Sequence, residues 1–181
     1  VVFEKSVLSN GDITVRADKD EVGTGDFILQ AGSINTQGGS LSLKAKDMDF
    51  SGDLILSGGD LSIATTQSGD IGLGDATGDI SLTVTELGRI AANNVYIGDA
   101  TSGNIIVDGA TETSTNNVTG IFNLRAQGDG KKVTFEGGDS VFNSLVTEAD
   151  ESIVMNANVS TDVGVLSLDA DYLDSGVATA K

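Results

Sequence analysis

Cysteine, proline, histidine and tryptophan are all absent from this 181-residue chain, and aromatic residues make up only 4% of it. Without cysteine there is no disulfide framework, no thiol nucleophile and no soft metal ligand, and the redox compartment stays open. Without histidine the side chain best suited to proton transfer near neutral pH is missing, and with it the usual parts of nucleophilic triads and zinc sites. Basic residues are scarce too: ten against 27 acidic ones, a formal charge of -17. Such a surface repels phosphate backbones and anionic lipid, so the expected partners include no nucleic acid and no membrane surface. No run of about 20 apolar residues occurs, which argues against direct membrane insertion. The opening "VVFEKSVLSN" lacks the basic start and long apolar stretch of a signal peptide. The chain begins without methionine and stops at "DSGVATAK", and it reads as a slice of something longer whose export signal or anchor lies elsewhere.

What is present is a hydrophobic fraction of 39% with 24 glycines and a mean hydropathy of +0.05. That is enough apolar material for a core, built from small, β-branched and leucine side chains. Period-two segments recur along the chain: "GDITVRA" from Gly11, "GDFILQA" from Gly25, "GSLSLKA" from Gly39, "GDLILSG" from Gly52, "GDLSIAT" from Gly59, "GDISLTV" from Gly78, "GNIIVDG" from Gly103 and "GIFNLRA" from Gly120. Looser versions follow at Lys132, Glu151 and Gly164. In "GSLSLKA", Leu41, Leu43 and Ala45 share one face and Ser42 and Lys44 the other. The same alternation groups Leu61, Ile63 and Thr65, and then Ile80, Leu82 and Val84. Glycines interrupt every ten or so residues and no 3.6-residue stripe persists, so little or no α-helix is expected.

Leu43 to Ile63 is 20 residues and Ile63 to Leu82 is 19, with another strand between each pair. Coils of 19–20 residues, each holding two or three short strands, account for that spacing. The fold expected is therefore all-β, a parallel β-helix (β-solenoid), in one elongated domain over residues 1–181. About nine coils at the ordinary strand spacing would give a rod roughly 40–45 Å long. The motifs at Gly52 and Gly59 lie only seven apart, which fits adjacent strands around a corner. The polar stretches "TELGRIAANNVYIGDATSGN" and "DGATETSTNNVTG" read as protruding loops or longer corners. Residues 128–181 read as less regular coils in which Phe135 and Phe142 fall close together.

Ten Gly-Asp pairs begin at Gly11, Gly25, Gly52, Gly59, Gly69, Gly74, Gly78, Gly98, Gly128 and Gly138. Glycine suits tight corners and aspartate accepts backbone N–H groups, so these pairs read first as turn chemistry. Asp70, Asp75 and Asp79 are the nearest approach to a hard-cation site, though they match neither an EF-hand nor a regular calcium-binding nonapeptide. Asp47 with Asp49, and Asp169 with Asp171, put two acids on one strand face, the minimum for glycoside hydrolysis. Sugar-stacking rings are few, Tyr96 and Tyr172 being far apart in sequence. There is no phosphate-loop motif, and Lys131 with Lys132 is a small basic island. The threonines Thr65, Thr66, Thr77, Thr83 and Thr85 do not recur at coil spacing, as an ice-binding face would need. Asn117-Val118-Thr119 and Asn158-Val159-Ser160 are glycosylation acceptor patterns. No catalytic, cofactor-binding or metal-ligating residue is assigned.

The segments "GDFILQAGSINTQGGSLSLKA", "GDLILSGGDLSIATTQSGDIGLGDATGDISLTV" and "IGDATSGNIIVDGA" resemble the repeat rods of bacterial filamentous haemagglutinin-like secreted adhesins. The resemblance covers residues 11–110 best. It implies a right-handed winding, an extracellular or cell-surface location, and a stalk or filament role. Its partners would be the neighbouring coils of the full-length protein, with host or cell-surface glycan or protein engaged through regions outside this chain. Two alternatives stand beside this non-catalytic structural role: a carbohydrate-active β-helix enzyme using paired carboxylates, and a self-associating surface-layer or sheath protein.

Overall fold

A computed structural model describes residues 1–20 and 24–172. Five of the chain's seven described units hold three short strands, each joining a different parallel sheet. The first unit is β1 (Val2–Phe3), β2 (Val7–Leu8) and β3 (Ile13–Arg16); the second is β4 (Asp26–Leu29), β5 (Ser33–Asn35) and β6 (Leu41–Ala45). The third is β7 (Asp47–Phe50), β8 (Asp53–Ile55) and β9 (Leu61–Thr65). The fourth is longer: β10 (Ile71–Gly74), β11 (Ile80–Leu82), the single-turn helix α1 (Val84–Leu87), β12 (Ile90–Ala91) and β13 (Val95–Ile97). In the fifth, β14 (Ile105–Asp108), the single-turn helix α2 (Glu112–Thr115) and β15 (Phe122–Ala126) follow in turn. The sixth is β16 (Lys132–Glu136), β17 (Ser140–Phe142) and β18 (Leu145–Ala149), and the seventh β19 (Ser152–Met155), β20 (Val159–Thr161) and β21 (Leu166–Asp169). The fold is all-β and its named strand pairs are parallel, with helix confined to two single turns among the described residues.

The longest sheet has seven strands in the order β21-β18-β15-β13-β9-β6-β3. Its inward positions line up in register as Val15, Leu43, Ile63, Ile97, Leu124, Thr147 and Leu168. A second inward row runs Ile13, Leu41, Leu61, Val95, Phe122, Leu145 and Leu166. Alternation explains this: Leu41 and Leu43 are each 1% exposed while Ser42 between them faces solvent. The buried hydrophobic residues of all five sheets form one core cluster from Val15 to Ala149. The aromatic residues late in the chain belong to that same stack: Phe135 pairs with Val107, and Phe142 packs on Phe122 with ring centroids 5.2 Å apart.

The 20-residue spacing holds where Leu43 meets Ile63, but it is not general. Ile63 pairs with Ile97, 34 residues on, and Leu82 pairs instead with Leu73 in another sheet. From Val95 to Phe122 the step is 27 residues, and from Phe122 to Leu145 it is 23. The described residues therefore form seven units rather than nine. The expected grouping of Ile80, Leu82 and Val84 also fails at Val84. Thr83 caps α1 there, accepting from the Glu86 backbone N–H while the Glu86 carboxylate accepts from Thr83, and this ends the strand.

The extra length of the fourth unit has a specific cause. Parallel neighbours ordinarily need a crossover of a dozen or more residues, yet β10 and β11 pair in register, Ile71 with Ile80, across a connection of residues 75–79 alone. The connection folds back over the outer face of β10, where a Cβ on Gly72 would press into the Ala76 carbonyl, and one on Gly78 would lie 2.6 Å from the Asp70 carbonyl oxygen. The polar stretches read as loops or corners hold α1 and α2, which pack on one another, tied by the Asn117 amide donating to Gly88 O at 3.0 Å. The motifs at Gly52 and Gly59 do turn a corner, β8 and β9 belonging to different sheets. Just before that corner, and again one unit earlier, the chain makes the same left-handed turn, with φ of 51° and 102° at Gln37-Gly38 and 52° and 102° at Ser57-Gly58.

Gly-Asp pairs act between units. An aspartate just ahead of one strand accepts the backbone N–H just ahead of the strand stacked on it: Asp12 from Ser40 (2.8 Å), Asp60 from Asn94 (3.0 Å), Asp70 from Asn104 (2.7 Å) and Asp139 from Asn158 (3.3 Å). Asn94 and Asn104 pass the pattern on, their Oδ1 atoms accepting from Ile121 N and Lys132 N. Each corner thereby satisfies a backbone donor that the sheet ladders leave over.

Candidate functional site

The first column of strands is interrupted once. Strands β1, β4 and β7 form one sheet and β11, β10, β14, β16 and β19 another, with β11 lying beside β7. At this break a cleft of about 470 Å³ opens on the outer surface, lined by Asp47 and Asp49 of β7, Asp79 and Ser81 from the short connection and β11, and Thr83, Thr85 and Glu86 around α1. Asp47 and Asp49 do share the outward face of β7, with Met48 and Phe50 buried on the other side.

Backbone groups occupy most of this acid. Glu86 does double duty, capping α1 through Thr83 and accepting the Phe50 N–H at 3.1 Å where a strand partner for β7 would otherwise stand. Asp79 accepts from Asp70 N at 3.0 Å, and Asp47 from Met48 N at 2.7 Å. Arg89 donates to the Ser51 carbonyl and lies 4.0 Å from Asp53. Burial pushes the Asp47 carboxyl above its ordinary value; the Met48 N–H opposes this, while the neighbouring charges of Asp26, Asp49 and Glu86 add to it. Chemically the cleft offers a carboxyl that holds its proton to higher pH beside a second carboxylate. It has no aromatic ring presented for a sugar to stack on, since Phe50 is 1% exposed with its side chain in the core.

The remaining candidates are dispersed. Asp169 ends β21 but Asp171 lies beyond it, its N–H donating to Asp169 Oδ1 at 3.3 Å, so this pair marks a turn rather than a strand face. Asp70 and Asp79 are engaged with backbone N–H groups, and among the described residues no group of three or more acids is placed to hold a metal ion. Tyr96 sits mid-sheet in β13 and Tyr172 follows β21. Lys132 pairs with Glu151 at 3.1 Å. Thr65 and Thr66 are buried. Among the described residues no helix is long and apolar enough to cross a membrane. The role of Glu86 escapes sequence reasoning because it acts on Phe50, 36 residues away; the T-x-x-E pattern at Thr83–Glu86 was the available signal for its cap. No family model, curated protein or solved structure matches this chain.

Proposed function

We propose that the three-strand units wind as a right-handed parallel β-helix and that the chain is a non-catalytic structural segment, a rod or stalk of an extracellular bacterial adhesin or surface filament. The observation that carries this is the unbroken register of the seven-stranded sheet, whose inward rows stack side chain on side chain from Ile13 to Leu168. Parallel crossovers are right-handed in about 98% of cases, which favours that winding. Six inter-strand steps at about 4.8 Å make the sheet about 29 Å long across its strands, and each unit meets chiefly its neighbours, an arrangement suited to spacing two points apart. The surface acids support the same reading, because Asp12, Asp60, Asp70 and Asp79 serve backbone N–H groups. The adhesin assignment rests on the resemblance of the Gly-Asp-aliphatic motifs.

Stretching the chain between its ends tests the role. Steps of 20 to 34 residues per unit correspond to about 70–120 Å of released contour, and the expected record lengthens by such increments or their multiples against sustained force. Smooth extension without force-resisting steps would refute a load-bearing stack. Oligosaccharide release by the purified chain, abolished in Asp47→Asn, would replace this reading with the carbohydrate-active one.

A further inference from the structure

The outer face of the seven-stranded sheet carries a second cleft, about 280 Å³ in volume, where three basic residues gather beside the acid Asp99. Of the ten basic residues in a chain of charge -17, Arg16, Lys44 and Arg125 all line it. Their convergence follows from register: Arg16 pairs with Lys44 and Lys44 with Ala64, and Gly98 comes next, one residue past the Ile63–Ile97 pair and one strand short of Arg125. The two small residues leave the floor open between Lys44 and Arg125. In the adjacent outward row Ser42, Ser62 and Tyr96 stand in register and form the cleft's wall.

Lys44 and Arg125 are held in place. Lys44 lies 3.5 Å from Asp99 and donates to Thr101 Oγ1 at 2.8 Å. Burial would raise the Asp99 carboxyl, but hydrogen bonds from the Thr101 hydroxyl and N–H, the Lys44 charge and the Ser102 hydroxyl outweigh it and keep Asp99 below its ordinary value, hence ionised. Arg125 lies over the Tyr96 ring at 4.4 Å with its Nε 3.5 Å from Glu148. That Nε is buried, and its approach to Glu148 falls short of hydrogen-bond geometry.

We propose that this cleft binds a saccharide unit bearing a single carboxylate, of the uronic or sialic acid type. A planar guanidinium facing an ammonium across a small-residue floor suits a carboxylate, which Arg can engage with two parallel hydrogen bonds. Tyr96 and the two serine hydroxyls suit a hydroxylated ring. The volume falls just below the range of about 300–1,000 Å³ typical of drug-sized ligands, so it admits one ring rather than a chain. The surrounding negative field repels polyanions, which leaves a ligand with one charge rather than many. This inference stands apart from the stalk reading: a rod can carry the site, and the rod survives its loss.

The test is an NMR titration of the whole chain with methyl glucuronide and with N-acetylneuraminate, using methyl glucoside and a polysulfated glycan as comparisons. Saturable shifts at the Ala64, Tyr96 and Gly98 amides are expected with at least one of the two carboxylated sugars. Arg125→Gln should weaken that binding about tenfold or more, the scale of a lost charge-assisted hydrogen bond. Ala64→Leu, which fills the floor without touching a charge, should abolish it while the melting temperature stays near the parent's. Equal binding of methyl glucoside, preference for the polysulfated glycan, no saturable shift with either carboxylated sugar, or unchanged affinity in Ala64→Leu would each overturn the proposal.

Discussion

Gly11, Gly39 and Gly59 occupy the same place in three successive units, each two residues ahead of the strand of the seven-stranded sheet, and two of them open the same "GD" motif. The stack makes them unequal. A Cβ on Gly59 would be driven into the Gly39 carbonyl, and one on Gly39 into the Gly11 carbonyl group, whereas a Cβ on Gly11 meets nothing within 4 Å. None of the three has a positive φ, so the difference is one of space alone. Gly59→Ala presses a methyl group against backbone fixed by two sheets, and overpacking of that kind costs about 1–3 kcal/mol. Gly11→Ala should instead gain about 0.4–1 kcal/mol by restricting the unfolded chain. With a urea m-value near 3 kcal/mol/M, a loss of about 3 kcal/mol lowers the unfolding midpoint by about 1 M. Circular dichroism and tyrosine fluorescence should be followed together, since stacked units can unfold in parts. Equal midpoints for the two variants, or damage from Gly11→Ala with Gly59→Ala neutral, would refute the stacking order.

Other outcomes follow from the same geometry. Leu43→Asp puts an unpaired charge between Val15 and Ile63 and should cost more than about 4 kcal/mol, while Ser42→Asp on the outward face should stay within about 0.5 kcal/mol; thermal melts of both decide it. Asp60 Oδ1 accepts from Asn94 N, Asn94 Nδ2 and Asn93 Nδ2, so Asp60→Ala should lose about 1–3 kcal/mol and Asp60→Asn, which keeps an acceptor oxygen, distinctly less, as read by urea denaturation. Asp47 and Asp99 should show opposite pH dependence. Asp47 has a raised value in the folded chain, so its contribution is fully present below the ordinary carboxylate range and lost as pH rises through the raised value; Asp47→Asn should match or exceed the parent's melting temperature at neutral pH and lose that advantage in acid. Asp99 has a lowered value, so its contribution is present above the ordinary range and lost as pH falls through the lowered one; Asp99→Asn should melt below the parent at neutral pH and converge with it in acid.

The strands themselves were legible because alternation is local: Leu41, Leu43, Leu61 and Ile63 face inward as their period dictates, and the Leu43–Ile63 register follows from two well-spaced motifs. The register beyond Ile63 was not. "GDISLTV" carries the same pattern as a strand that opens a new unit, and its 19-residue offset fits, yet it forms β11 against β10 within the unit that β10 opens. Only the glycines at 72 and 78, and the capping pattern from Thr83 to Glu86, separate it from the others. The Asp47–Asp49 face was legible for the same local reason, whereas the cleft around it depends on the sheet break. The meeting of Lys44, Tyr96 and Arg125 lay beyond sequence because unit lengths of 20, 34 and 27 residues conceal which positions coincide.

Residues distant in sequence climb a common face by one strand spacing per unit. The chain has no cysteine, so nitroxide pairs can be placed on the outward row at Thr14, Ser42, Ser62, Tyr96, Val146 and Ser167. Electron-electron dipolar distances should rise by about 4.8 Å per strand, to about 19 Å between backbone positions for Ser42 and Val146, 24 Å for Ser42 and Ser167, and 29 Å for Thr14 and Ser167. Distances that fail to increase in that order, as antiparallel hairpins would give, would contradict the account.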